Sequence, residues 1–89
     1  MSADPLNVGI DVSKAALDIA IRPTGQHWQI PHTNDAIHDL ASQLVSLHPF
    51  LVVLEATGGL EISLTGALAT AGLPIVVVNP RQVRDFAKA

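Results

Sequence analysis

The sequence predicts a small α/β domain built on a mixed five-stranded sheet. Two apolar runs end in a carboxylate, Leu6-Asn7-Val8-Gly9-Ile10-Asp11 and Phe50-Leu51-Val52-Val53-Leu54-Glu55, and Pro74-Ile75-Val76-Val77-Val78 is apolar throughout. Near-continuous runs of this kind are strands buried on both faces. Between the first two runs the chain alternates with period two and then with period 3.6, so a hairpin meander precedes a helical crossover. The element order is therefore β-β-β-α-β-α-β-α, the last helix opening at Asn79-Pro80.

Each element has its own signal. After the first strand, Val12-Ser13-Lys14-Ala15 is a short turn; Leu17, Ile19 and Ile21 then alternate with Asp18, Ala20 and Arg22, as in a strand with one wetter face. Pro23-Thr24-Gly25-Gln26 is a turn, and His27-Trp28-Gln29-Ile30-Pro31 is a third strand that completes an antiparallel meander. Asn34 is the expected cap of a helix in which Ile37, Leu40, Ala41, Leu44 and Leu47 keep the i, i+3, i+4, i+7 spacing. His48-Pro49 closes it. A second helix is expected from about Leu60 to Ala71, striped by Leu60, Leu64, Ala67, Leu68 and Ala71. Ile62 and Ala69 lie off that stripe, which predicts cover on more than one side. Gly72 suits the left-handed residue after a helix end. Asn79-Pro80 pairs a capping residue with proline at the first helical position.

The two crossovers should be right-handed. The expected sheet order is 3-2-1-4-5, with strand two antiparallel, helices packed on the sheet, and strands one and four side by side at the centre. This is a ribonuclease-H-like arrangement, and it brings Asp11 next to Glu55.

Composition narrows the function classes. A chain of 89 residues makes one domain at most, and such a domain buries only about 60–65 % of the surface its unfolded chain exposes. Yet 48 % of the residues are apolar and the mean hydropathy is +0.37. Some of that surface is expected to meet further chain or a second copy, as in a homo-oligomer. The segment from Arg81 to Ala89 stops without a Gly or Pro stop signal, so residues 1–89 read as the N-terminal part of a longer, C-terminally truncated domain. The absence of cysteine excludes a disulfide framework, a thiolate metal site and a cysteine nucleophile, and fits a reducing cytoplasm. No signal peptide and no apolar run approaching 18 residues is present, so a soluble cytoplasmic protein with no membrane partner is expected. A net charge of −3 argues against tight nucleic-acid binding by this stretch unaided, although Arg81, Arg84 and Lys88 cluster within the last nine positions.

Asp11 and Glu55 carry the most chemical information. Ionising a lone carboxylate inside an apolar strand costs several kcal/mol, so each acid is expected to protrude at the C-terminal edge of its strand, where ligands of open α/β sheets gather. Mg²⁺ takes oxygen ligands and retains waters, so one or two carboxylates plus substrate phosphates suffice to bind it. Gly9, two residues before Asp11, shares its face and leaves room for a ligand. From spacing alone, the same acids read equally well as the start of a turn and the cap of the next helix.

A resemblance separates these readings. Gly9-Ile10-Asp11-Val12-Ser13-Lys14, Leu54-Glu55-Ala56-Thr57-Gly58, and Val77-Val78-Asn79-Pro80-Arg81-Gln82-Val83-Arg84-Asp85-Phe86-Ala87 are similar to motifs of the N-terminal domain of DEDD-type insertion-sequence transposases. These form the IS one-ten group, which includes Piv-like DNA invertases. Three separated motifs in order, spread over nearly the whole chain, make the resemblance specific. It implies a RuvC-like domain with four metal-binding acids, of which Asp11 supplies the first and Glu55 the second. The other two aspartates fall beyond this sequence, as does a C-terminal domain with a serine implicated in strand exchange. Asp85 belongs to the Arg-Gln-Val-Arg-Asp-Phe motif and takes neither role. The resemblance further implies Mg²⁺ or Mn²⁺ as cofactor, weakly held by this half-site, DNA as partner, a structured guide RNA, and a bacterial or archaeal cytoplasm.

Other residues carry two readings each. Lys14 is a contact to a scissile phosphate or a solvated hairpin lysine. Thr57-Gly58-Gly59 precedes a helix whose N-terminus attracts anions, or simply lets the chain turn. Arg81, Arg84 and Lys88 follow a nucleic-acid backbone or form a wet helix face. His27, His32, His38 and His48 show no metal-ligand spacing and are expected at the surface; Trp28 is expected in the core or an interface. Two other functions compete with the recombinase. An actin-like or sugar-kinase-type ATPase fragment also opens on a Gly-Ile-Asp strand, but Val12-Ser13-Lys14 replaces the small phosphate-approaching residues it needs. A noncatalytic interaction module is favoured by the apolar content and the incomplete acid set. Thr-Gly-Gly does not match the Gly-x-Gly-x-x-Gly dinucleotide fingerprint.

Overall fold

The computed structural model describes residues 5–55 and 58–78. Seven elements follow one another: β1 (Asn7–Val12), β2 (Ala16–Arg22), β3 (His27–Pro31), α1 (Asn34–Leu47), β4 (Leu51–Glu55), α2 (Ile62–Thr70) and β5 (Ile75–Val78). They form one sheet in the order β3-β2-β1-β4-β5, the order expected from the sequence. β2 runs antiparallel to both β1 and β3, while β1, β4 and β5 are mutually parallel. Thr57, Arg81, Arg84 and the helix expected from Pro80 lie outside the described residues.

Period-two patterning decides which face is covered. Val8, Ile10 and Val12 of β1, Leu17, Ile19 and Ile21 of β2, and Val52 and Leu54 of β4 point to one side and are buried. They share a single core with Ile37, Leu40, Ala41 and Leu44 of α1 and Leu64 and Leu68 of α2. Trp28 packs half-buried against this cluster. The opposite face carries Gly9, Asp18, Ala20 and Val53 half-buried and Asp11, Arg22 and Glu55 exposed. Burial on both faces, expected from the apolar runs, is thus met on one face only among the described residues. Period two also requires small or polar residues on an open face, and Gly9, Asp11, Asp18 and Ala20 supply them.

The helix boundaries depart from expectation at both N-termini. Thr33, not Asn34, caps α1: its backbone is extended (φ −126°, ψ 157°) and its side chain accepts a hydrogen bond from the Ala36 N–H at 3.2 Å. Asn34 becomes the first helical residue. Replacing Thr33 by alanine is expected to cost about 1 kcal/mol, a fall of roughly 4–8 °C in Tm for a domain this small, readable by a circular-dichroism melt. α2 begins at Ile62 instead of Leu60: residues 58–61 form a turn with Gly58 and Gly59 at positive φ (70° and 79°), and the Ile62 N–H donates to the Gly59 carbonyl at 3.2 Å. It ends as expected: Gly72 (φ 82°) donates to the Ala69 carbonyl and Leu73 to the Leu68 carbonyl, a Schellman closure. Ile62 is 70 % exposed and Ala69 is exposed, so among the described residues α2 is covered on one side, not on several.

Candidate metal centre

Strand register sets the geometry of the site. Asp11 is the register partner of Glu55 across the parallel β1–β4 ladder and of Asp18 across the antiparallel β1–β2 ladder. Adjacent strands lie about 4.8 Å apart. Asp18, Asp11 and Glu55 therefore form one row across the open face, at the C-terminal ends of β1 and β4. Asp11 and Glu55 are exposed, so they remain hydrated. Asp18, half-buried, accepts a hydrogen bond from Gln29 Nε2 at 3.0 Å, and Gln29 is its own register partner on β3.

Its place in this row is a feature the sequence reading missed. The turn expected at Val12-Ser13-Lys14-Ala15 is centred one residue too early; the hairpin turns between Lys14 and Ala15, pairing residues whose numbers sum to 29 and setting Asp18 opposite Asp11.

Below the row the open face forms a groove of about 470 Å³. Asp11, Asp18 and Glu55 line one end, Gly9 and Ala20 the floor with His27 beside them, and Asn7 and Arg22 the other end. The floor is shallow because those two register partners carry little or no side chain. A Cβ built on Gly9 would meet nothing within 4 Å, so the space above it is open.

Lys14 sits exposed in the β1–β2 turn, three residues past Asp11. The turn is well tied. Ser13 Oγ donates to the Ala16 carbonyl at 2.9 Å, the His32 N–H donates to the Ala15 carbonyl at 3.0 Å, and His32 Nδ1 lies 2.7 Å from the Ser13 carbonyl oxygen. His32 is therefore a half-buried structural latch and not a free surface histidine, whereas His27, His38 and His48 are exposed as expected.

The donor set fits a hard divalent cation bound partly by its substrate. Asp11 and Glu55 offer anionic oxygens at one solvent-facing edge, and one or two carboxylates are what Mg²⁺ sites commonly take from protein. Among the described residues no three His, Asp or Glu side chains come close enough to hold a metal ion. Without a cation the row is electrostatically unfavourable. Two charges about 5 Å apart repel by roughly 3 kcal/mol at an effective dielectric near 20, but by only about 0.8 kcal/mol in water, and these acids are exposed. Asp11→Asn is accordingly expected to raise the metal-free Tm at pH 7 by a few degrees; a lowered Tm would make Asp11 a structural acceptor.

A mixed sheet in this order, helices on one face and a carboxylate at the end of each central parallel strand define the RuvC-like class of the ribonuclease-H fold. Thermus thermophilus RuvC in complex with Holliday junction substrate superposes with a TM-score of 0.66 at 17 % identity, over 92 % of this chain and 69 % of that one. Thermus thermophilus RuvC in a second structure gives 0.64 at 19 % identity, over 89 % and 64 %. The chain belongs to the DEDD transposase family of the IS110 (one-ten) group, whose model matches residues 8–89. No curated protein matches the sequence. Family membership displaces the ATPase alternative. Among the described residues no helix is long and apolar enough to cross a membrane.

Proposed function

We propose that this chain is the N-terminal part of a DNA recombinase whose metal-dependent RuvC-like site cleaves and rejoins DNA during insertion-sequence transposition. One observation carries the reading: Asp11 and Glu55 are register partners at the exposed C-terminal ends of adjacent parallel strands. In this reading the two carboxylates hold Mg²⁺ or Mn²⁺. A cation held there would supply Lewis-acid polarisation and stabilisation of developing negative charge. Asp11 and Glu55 fix the position of that charge, and the open space above Gly9 admits a phosphodiester backbone beside them. The remaining two acids come from chain beyond residue 89, so residues 1–89 alone bind metal weakly and do not cleave DNA.

DNA as the partner is supported by the family and by the Holliday-junction complex of the Thermus thermophilus neighbour. A structured guide RNA follows from the family resemblance. Self-association follows from the exposed apolar residues Phe50, Ile62, Val76 and Val77; Lys14, Thr57, Arg81 and Arg84 are the proposed backbone contacts. The test is cleavage of a labelled donor DNA by the whole recombinase carrying Asp11→Asn or Glu55→Gln, with folding checked in parallel. Recombination that survives both substitutions in folded protein would reassign the domain as a noncatalytic interaction module.

A further inference from the structure

We infer that Arg22, assisted by His27, is a phosphate clamp that holds the reacting DNA strand on the open sheet face, a few nucleotides from the acids. The inference rests on the recombinase reading above and adds the path of the substrate to it.

The groove is polar at both ends but with opposite character. Asp11, Asp18 and Glu55 occupy one end and Arg22 with Asn7 the other, while His27 flanks the middle of the groove beside Ala20. Register sets this order: Arg22 pairs with Asn7, and His27 pairs with Ala20 one row nearer the acids, all on the same face as Gly9 and Asp11. Asn7 lies four strand residues before Asp11, a span of about 13 Å along the strand. Between them the floor is Gly9 and Ala20, low enough for a backbone to lie across.

Cations are scarce here, which makes their placement informative. Among the described residues the only lysine and arginine are Lys14 and Arg22. One follows the acid row in the β1–β2 turn; the other precedes it at the far end of the groove. A polyanion running along the strands meets a cation on each side of the acids. None of the side-chain hydrogen bonds among the described residues engages the Arg22 guanidinium, and its end of the groove holds no acid. A guanidinium presents a planar fork of donors that matches a phosphate. At the Arg22 end, charge complementarity thus favours a sugar–phosphate backbone over an apolar protein segment, and the three carboxylates at the other end accept that polyanion only through the cation they hold.

The experiment is binding of a fluorescein-labelled four-way DNA junction by the whole recombinase, with Ca²⁺ replacing Mg²⁺, followed by anisotropy across a salt series. Arg22→Ala is expected to raise Kd about tenfold near 150 mM salt and to reduce the slope of log K against log[salt] by about 1. Arg22→Lys should recover most of the slope, since it keeps the charge. In cleavage assays with Mg²⁺, Arg22→Ala should raise KM and leave kcat within about twofold, because the residue sits away from the reacting atoms. An unchanged Kd and slope overturns the clamp. A Tm lowered by Arg22→Ala with an unchanged slope also overturns it, because another part of the protein then fills that end of the groove. The recombinase reading fails separately, if Asp11→Asn leaves cleavage intact or the wild-type protein does not bind the junction.

Discussion

Asp11→Asn and Glu55→Gln are each expected to lower DNA cleavage by the whole recombinase at least about 1,000-fold. Each substitution keeps the side chain's shape and removes one anionic oxygen donor from the exposed edge of the β1–β4 pair. Several kcal/mol of transition-state charge stabilisation depend on the cation those oxygens would hold, and about 4 kcal/mol corresponds to three decades in rate. The same change relieves repulsion along the row of Asp18, Asp11 and Glu55. Asp11→Asn should therefore combine two opposite shifts, a lost cleavage rate and a metal-free Tm raised by a few degrees. That combination separates a functional acid from a structural one, because loss of a cap or buried acceptor lowers both. Single-turnover cleavage with saturating Mg²⁺, run beside a thermal melt in chelator, reads both quantities on the same preparation.

The second large effect lies one residue away. Leu54 is fully buried at 0 % exposure, on the core face of β4, directly before Glu55. Leu→Ala in such a setting costs about 2–5 kcal/mol through lost transfer energy and an unfilled cavity. A domain of this length has only about 4–13 kcal/mol to lose. Leu54→Ala is expected to lower Tm by more than 10 °C and to loosen the strand that presents Glu55. Phe50, one residue before β4, is a larger apolar side chain but 68 % exposed. At concentrations where the chain is monomeric, Phe50→Ala should move Tm by no more than about 2 °C, since surface changes of this kind lie within about 0.5 kcal/mol. Equal destabilisation by both would mean that Phe50 is buried against something in solution.

Most of the architecture was legible because the apolar spacing is unambiguous. Val8, Ile10 and Val12 count in twos, while Ile37, Leu40, Ala41 and Leu44 count in threes and fours, and each set is buried as a set. Helix starts were harder. Thr33 and Asn34 are both competent caps, and only the extended backbone at Thr33 chooses between them. At α2 the apolar Leu60 extends the helical pattern backwards, but it lies inside the turn that the two positive-φ glycines open and the Ile62 N–H closes onto Gly59. The adjacency of Asp11 and Glu55 could be argued from topology, whereas the groove could not. Its floor depends on Gly9 and Ala20 facing each other across a hairpin with His27 beside Ala20, and its far end on Asn7 and Arg22 arriving from different strands. Such a surface belongs to register, which a strand-by-strand reading does not compute.

The pairing of β1 with β4 also has a consequence for when the site exists. Asp11 and Asp18 are seven residues apart along the chain, Asp11 and Glu55 are 44 apart. By loop-closure entropy the longer closure costs roughly 1.6 kcal/mol more, and contacts of long sequence separation slow folding. A chain that has closed only its first hairpin holds Asp11 beside Asp18, with Glu55 still remote. The acid pair therefore cannot form ahead of the fold: a newly made polypeptide brings Asp11 and Glu55 together only when the crossover through α1 has docked.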